Sequence, residues 1–558
     1  MKKLFTLFLA SIVWSSLLGQ KIQHESKFYD VYFGPKQERQ FGTSVDVFLG
    51  ADDEQFFTYF KEKNKIAYGK YSNELKKLKT NTVEPPKEKA TRNTEMYYEL
   101  GDDIFEFYSL SDKKTKTNKL FCRTLDKELL KPNKDDRELF SLTGDSYYKQ
   151  FKNAFTQGAV SPDETKFLVA FKLPEEEDRY KRFRFMVFDN DFNLLWQADR
   201  KFVVDKNLKF NLFDTGWFIA GGSGAWNTGG SYDAFQLGNN GEILTWGIQD
   251  KGRDFEKENR FETFVFKITE KDMIHAKVGF GDKKIMESSI HLNKDGRVMI
   301  SGFYNNDIKA KEGGTFISFS NKLKFNLVDG AFLSYWDIES GEPTHMSFEE
   351  FSDEFTKTFW SERKVKRYEK DQSKDNGKTT VGMSHYDLDH IVEKEDGSVI
   401  LVGESTYTKI SNTSSGQSIT YIYGNIIVIN VDPKGNILWS KKIPKSQEKK
   451  NSTVGLGYEL AYTKDRLYFL YNDNFKNLAK GWDGAKVYTF RGGDNPVTMA
   501  VCDLTNDGEI SREQVWTTEK AGGMFQPGSR VDQLFDDETI IYIQGGKGTQ
   551  RMIRVKYK

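Results

Sequence analysis

Three residues in one short run have the types and spacing for ligand chemistry. His385, Asp387 and Asp389 alternate in S-H-Y-D-L-D-H, and alternate residues of a strand share one face. An imidazole with two carboxylates suits a metal ion or a polar ligand. The competing reading is a solvated wall of polar side chains, and it is preferred. Residues 503–509 (D-L-T-N-D-G-E) approach a calcium loop, but Thr505 weakens the third ligand and Gln514 stands where the bidentate Glu belongs. A plain hairpin turn is expected there. Residues 221–230 (G-G-S-G-A-W-N-T-G-G) lack the lysine of a phosphate-binding loop and the spacing of a dinucleotide loop, and read as a tight loop around Trp226. Neither G-x-S-x-G nor the S-x-D-x-G-x-T-W box occurs, and 82 carboxylates are too many to pick out a glycosidase pair without geometry. No catalytic residue, metal or cofactor is therefore assigned.

The elements that must position His385, Asp387 and Asp389 are legible in residues 388–439. An apolar lead-in, the turn K-E-D-G at 394–397 and the run V-I-L-V-G at 399–403 form one hairpin. The run I-I-V-I-N-V at 426–431, the turn D-P-K-G and N-I-L-W ending at Trp439 form a second. Glycine supplies the positive φ that such turns need. Two successive hairpins make a four-stranded antiparallel meander, and imperfect copies of it recur along the chain. That repetition predicts an all-β fold, a β-propeller of seven four-stranded blades, or eight. Strands leading a blade line the central channel, so His385, Asp387 and Asp389 are expected there.

The two ends complement each other. Residues 27–33 (K-F-Y-D-V-Y-F) form an aromatic strand without a nearby partner, while 531–545 and 551–557 offer three strands that lack a fourth. The N-terminal strand is expected to close the ring, which removes exposed sheet edges. Cys122 and Cys502 each fall late in an apolar run. Placed on third strands of different blades, they are expected to be free packed thiols rather than a bridge, whose Cα atoms lie within about 7 Å. The stretch 210–280 reads equally as one blade or two.

Two repeats resemble known families. Residues 159–171 (A-V-S-P-D-E-T-K-F-L-V-A-F) resemble the S-P-D-G-K repeat of TolB-type propellers, with Glu164 in the glycine position. The pattern D-P-K-G-N-I-L-W at 432–439 is similar to the repeat of pyrroloquinoline-quinone propellers and of BamB-type outer-membrane assembly factors. The quinone enzymes also need further residues, usually adjacent cysteines, which are absent. The resemblance implies a propeller, with an outer-membrane or periplasmic protein complex as its partner.

One stretch breaks the alternation of strands. Ser347 and Glu350 make an S-x-x-E capping box, and Phe348, Phe351, Phe355 and Phe359 recur at spacings of three and four. An amphipathic helix of roughly five or six turns is expected within 347–372, in an insertion at about 340–380. Its Phe stripe packs on the propeller side, contacts a partner, or does both.

Residues 1–20 carry Lys2 and Lys3, an apolar run from Leu4 to Leu18 and small Gly19, the pattern of a secretory signal peptide. Residues 21–558 then form one propeller domain, exported to the periplasm or beyond it, with no spanning segment after cleavage. The 82 basic and 82 acidic residues cancel, which argues against a nucleic-acid surface. The expected function is a non-catalytic, monomeric binding or scaffold module of the cell envelope. The alternative is a secreted enzyme acting on polysaccharide or peptide.

Overall fold

The computed structural model describes residues 22–38, 47–52, 54–62, 65–84, 91–100, 103–151, 157–173, 181–203, 209–212, 235–250, 261–293, 295–306, 327–373, 382–413, 416–479, 487–493, 495–528, 531–535, 537–545 and 549–558. Residues 1–20 and the glycine-rich run 221–230 lie outside them. Antiparallel four-stranded units follow one another in chain order to form eight blades in a ring. The leading strands of successive blades touch one another, as Val47–Ala51 does Thr91–Leu100 and Lys284–Leu292 does Tyr386–Glu393. They therefore line the axis. Of the two expected counts, seven and eight, the structure shows eight. The described residues between 209 and 278 form a single blade, in which Lys209–Leu212 and Gln236–Leu237 both pair with Ile243–Asp250.

The sixth blade follows the expected hairpins, with strands Tyr386–Glu393, Val399–Thr413, Gly416–Val431 and Ile437–Ile443. Its second and third strands run well beyond the blade as one hairpin, paired from Val399↔Val431 to Thr413↔Gly416. Gly435 in the D-P-K-G turn has φ 93°, and a Cβ there would lie 2.5 Å from the His345 ring. Only glycine fits that turn. In the TolB-like repeat, Glu164 itself adopts φ 56°, so the turn keeps its left-handed shape without glycine.

Ring closure occurs between the chain ends. Tyr29–Phe33 pairs antiparallel with Thr549–Tyr557, from Tyr29↔Tyr557 to Phe33↔Ile553. Tyr29 and Val31 are fully buried in the core between the seventh and eighth blades. Cys122 and Cys502 are buried free thiols on third strands of the second and seventh blades. Residues 503–509 form the turn between Pro496–Asp503 and Glu509–Thr517, in which the Asp503 carboxylate accepts from Thr505.

The insertion differs from the expected single helix. Phe348 belongs to the outer strand Glu342–Glu350 of the fifth blade, paired with Phe332. The helix Asp353–Lys357 starts one turn later, with the Ser352 hydroxyl accepting from the Phe355 amide. A break follows, where Phe359 has φ 64°, and the helix Glu362–Gln372 then forms. Pairing along the whole edge of Gly330–Asp337 captures Ser347 to Glu350 as strand, so the Ser347 capping box does not form. Long-range ladder bonds here override a local periodicity.

Candidate functional site

Strand direction decides which residues meet. In each blade the first strand starts, the second ends, the third starts and the fourth ends on the same side of the ring. Asp387 lies at the start of a first strand, and Glu404 opposite it on the second strand. Glu287 lies near the start of the neighbouring first strand, Lys284–Leu292. Lys445 follows the fourth strand of the sixth blade, and Asp473 follows the second strand of the seventh, Arg466–Asn472. All five therefore gather at one mouth of the channel.

A bulge refines the sequence pattern. Leu388 pairs with Gly403 and His390 with Val402, which leaves Asp389 as the extra residue. Such an insertion turns the following side chains over. Tyr386 and Leu388 pack toward the fifth blade, whereas Val392 packs toward the seventh. Asp389 thereby reaches the seventh blade, where the Tyr458 hydroxyl donates to its carboxylate at 2.9 Å. Asp387 accepts from the Thr406 hydroxyl. His385, with φ 57°, stacks on Tyr407 at 5.6 Å. Two of the three expected residues thus join the carboxylate cluster, and the third stacks on the projecting hairpin.

Residues not singled out from sequence complete the site. Lys445 pairs with Glu404, the two side chains being 0% and 5% exposed, and donates to the Gln447 side-chain Oε1 at 3.0 Å. The Gln447 amide donates to the carbonyls of Asn472 and Gly457, which ties the sixth blade to the seventh. Asp473 accepts from Asn477 at 2.6 Å and lies 3.5 Å from Arg512. Glu404 was the most accessible from sequence, because counting back from the Lys394–Gly397 turn places it opposite the start of the leading strand. Lys445 and Asp473 carry no local signal.

The electrostatics of the cluster are dominated by enclosure. Burial, with the Asp387 charge adding to it, pushes the Glu287 carboxyl up to about 8. Burial also raises Asp387 against the Thr406 hydrogen bond. Although Asp387 is open to solvent at the mouth, protein crowds it on its other sides. Asp389 is raised well above the carboxylate range by burial and then by Glu404, with Tyr458 opposing. Glu404 is raised and Lys445 lowered, since burial outweighs their mutual attraction. Burial raises Asp473 as well. Among the described residues, no three His, Cys, Asp or Glu side chains converge to hold a metal.

Phe348, Phe351 and Phe355 of the Phe stripe pack inward. Phe348 meets Phe332 and Tyr304 at 5.8 and 5.1 Å, and Phe351 is buried with Phe355 against it at 4.9 Å. The buried Lys442 ammonium donates to the Phe355 carbonyl at 2.6 Å and pins the insertion to the sixth blade. No helix among the described residues is long and apolar enough to cross a membrane.

No protein-family model matches the chain, and no curated protein does. Among solved structures, prolyl oligopeptidase B from Galerina marginata aligns at 10% identity over 95% of this chain and 55% of that one, with a TM-score of 0.34. The polysaccharide lyase Uly1 aligns at 11% identity over 94% and 99%, also with a TM-score of 0.34. The β-propeller domain of the Trilobed protease from Pyrococcus furiosus aligns at 10% identity over 87% and 98%, with a TM-score of 0.28. The chain thus spans about half the length of the oligopeptidase. Scores this low carry no argument, and the architecture rests on the strand pairing.

Proposed function

We propose that the chain is an exported, non-catalytic binding propeller of the cell envelope that holds a cationic group of a partner protein at the channel mouth. One observation carries this reading. Among the described residues, Glu287, Asp387, Asp389, Glu404 and Asp473 face Lys445 and Arg512, so five carboxylates meet two cations there. Fully ionised, the group would hold three negative charges in excess. An ammonium or guanidinium entering from the partner offsets that excess and draws the raised carboxyls into their ionised form. Export is supported by the pattern of residues 1–20, and an envelope complex as partner by the BamB-like repeat at 432–439.

Titration calorimetry with an Arg- and Lys-rich peptide, in buffers of differing ionisation enthalpy, tests this directly. Binding should release protons, tighten from pH 6 to pH 8, and weaken at least about tenfold in Asp387→Asn/Asp389→Asn. Failure of the wild type to bind cationic peptides would sink the reading. A second reading is a secreted enzyme on polysaccharide or peptide. It is favoured by Glu287, a carboxyl raised to about 8 beside Asp387 and so able to donate a proton at neutral pH. Glycan or peptide cleavage that disappears in Glu287→Gln would establish it instead.

A further inference from the structure

The insertion presents a second charged surface, of opposite sign. Arg363, Lys366, Arg367 and Lys370 stand at i, i+3, i+4 and i+7 of the helix Glu362–Gln372, a spacing that places them on one face. All four are exposed, and with Glu362 they form one open stretch of surface. None of the four forms an ion pair among the described residues, whereas Lys357 nearby takes up both Asp353 and Glu369. The other face of the helix is committed to the fold. Val365 and the buried Tyr368 pack with Trp360 in the core between the fifth and sixth blades, and Lys364 lies over Trp360 at 3.8 Å.

We infer that this row docks an acidic, extended polypeptide segment. Charge complementarity supplies the attraction, and geometry narrows the occupant. From Arg363 to Lys370 the row advances about 10 Å along the helix. In an extended chain, residues two apart lie about 6.6 Å from each other on one face, close to the about 5–6 Å between basic neighbours three or four apart. The about 10 Å of the row thus takes two or three acidic residues at alternate positions of an extended segment. The apolar residues of the helix face the core, so a bilayer would find surface charge without an anchor to insert. Trp360, only 7% exposed, gives no stacking platform for bases.

This surface shares no residue with the channel mouth, so the proposal stands or falls separately from the proposed function. The test is fluorescence anisotropy of a labelled peptide of alternating Glu and Ser. The protein carrying Arg363→Gln, Lys366→Gln, Arg367→Gln and Lys370→Gln is the comparison, with its fold checked by thermal melting. Wild type should bind, lose affinity steeply with added salt, and bind at least about tenfold more tightly than the variant. Asp387→Asn should leave that binding unchanged. Equal binding by the variant, or none by wild type at low salt, overturns the proposal. So does tighter binding of phosphatidylglycerol vesicles or of polygalacturonate than of the peptide, since either would name a different occupant.

Discussion

Lys445 and Glu404 form an ion pair with almost no exposed surface, 0% and 5% of the two side chains. The lysine is held further by Gln447, which is itself tied to the seventh blade. The pair therefore sits where two blades and the channel mouth meet. Removing one partner leaves a buried charge uncompensated, at a cost of about 3–5 kcal/mol. Lys445→Met should lower the unfolding midpoint markedly, and Lys445→Met/Glu404→Gln should recover much of the loss. Denaturant titration of the two variants and wild type checks this; equal loss in both would show that the pairing is not what stabilises the site.

Stability should fall as pH rises through the neutral range. Glu287, raised to about 8, binds a proton in the folded chain that the unfolded chain has already lost above about pH 4.5. Its contribution is full below that value and is lost as pH rises toward 8. Glu459 and Glu99, each raised to about 7 by burial, act in the same direction. Lys442, lowered to about 7 by burial, acts oppositely, favouring the fold at higher pH. Glu287→Gln removes one carboxylate term and should raise stability at pH 8 by roughly 1–3 kcal/mol while changing it little at pH 4.5. Melting curves of both proteins across this range decide it.

Ring closure depends on Tyr29 and Val31, both fully buried on the strand that pairs with Thr549–Tyr557. Tyr29→Ala should destabilise by about 3–5 kcal/mol. Hydrogen exchange should then accelerate first in residues 549–557, the edge that the strand covers. Uniform acceleration throughout the ring would instead point to a single cooperative unit.

Glu164 is exposed and holds φ 56° in a turn closed by its own amide to the Ser161 carbonyl. A left-handed conformation costs a side chain about 1–2 kcal/mol, part of which glycine returns as unfolded-state entropy. Glu164→Gly should stabilise by about 0.5–1 kcal/mol. A loss of stability would mean that the Glu164 side chain has a compensating role.

The thiols offer a direct check on packing. Burial raises Cys122 well above its usual value and Cys502 to about 12, so neither forms thiolate at neutral pH. Alkylation of the native protein should label neither, and denaturation without reductant should expose both. A need for reductant would reveal a bridge.

Strand identity and ring closure were legible because they depend on local chemistry. Alternating apolar residues, Asp-Gly and Pro-Lys-Gly turns, and an unpartnered aromatic strand at one end need no knowledge of distant contacts. The placement of Asp387 and Asp389 at the start of a blade's leading strand was legible for the same reason. What the tertiary structure alone decided is everything that crosses between blades. The bulge at Asp389 hands one carboxylate to Tyr458 of the next blade, and no residue type announces it. Glu287, Lys445 and Asp473 lie far apart along the chain and meet only because the ring brings strand ends together at one mouth. The insertion shows the converse. Phe348 to Phe359 has the period of a helix, yet the free edge of Gly330–Asp337 draws Phe348 into a strand. Local periodicity measures what a segment prefers alone, whereas a sheet edge supplies a row of backbone partners that can outweigh that preference.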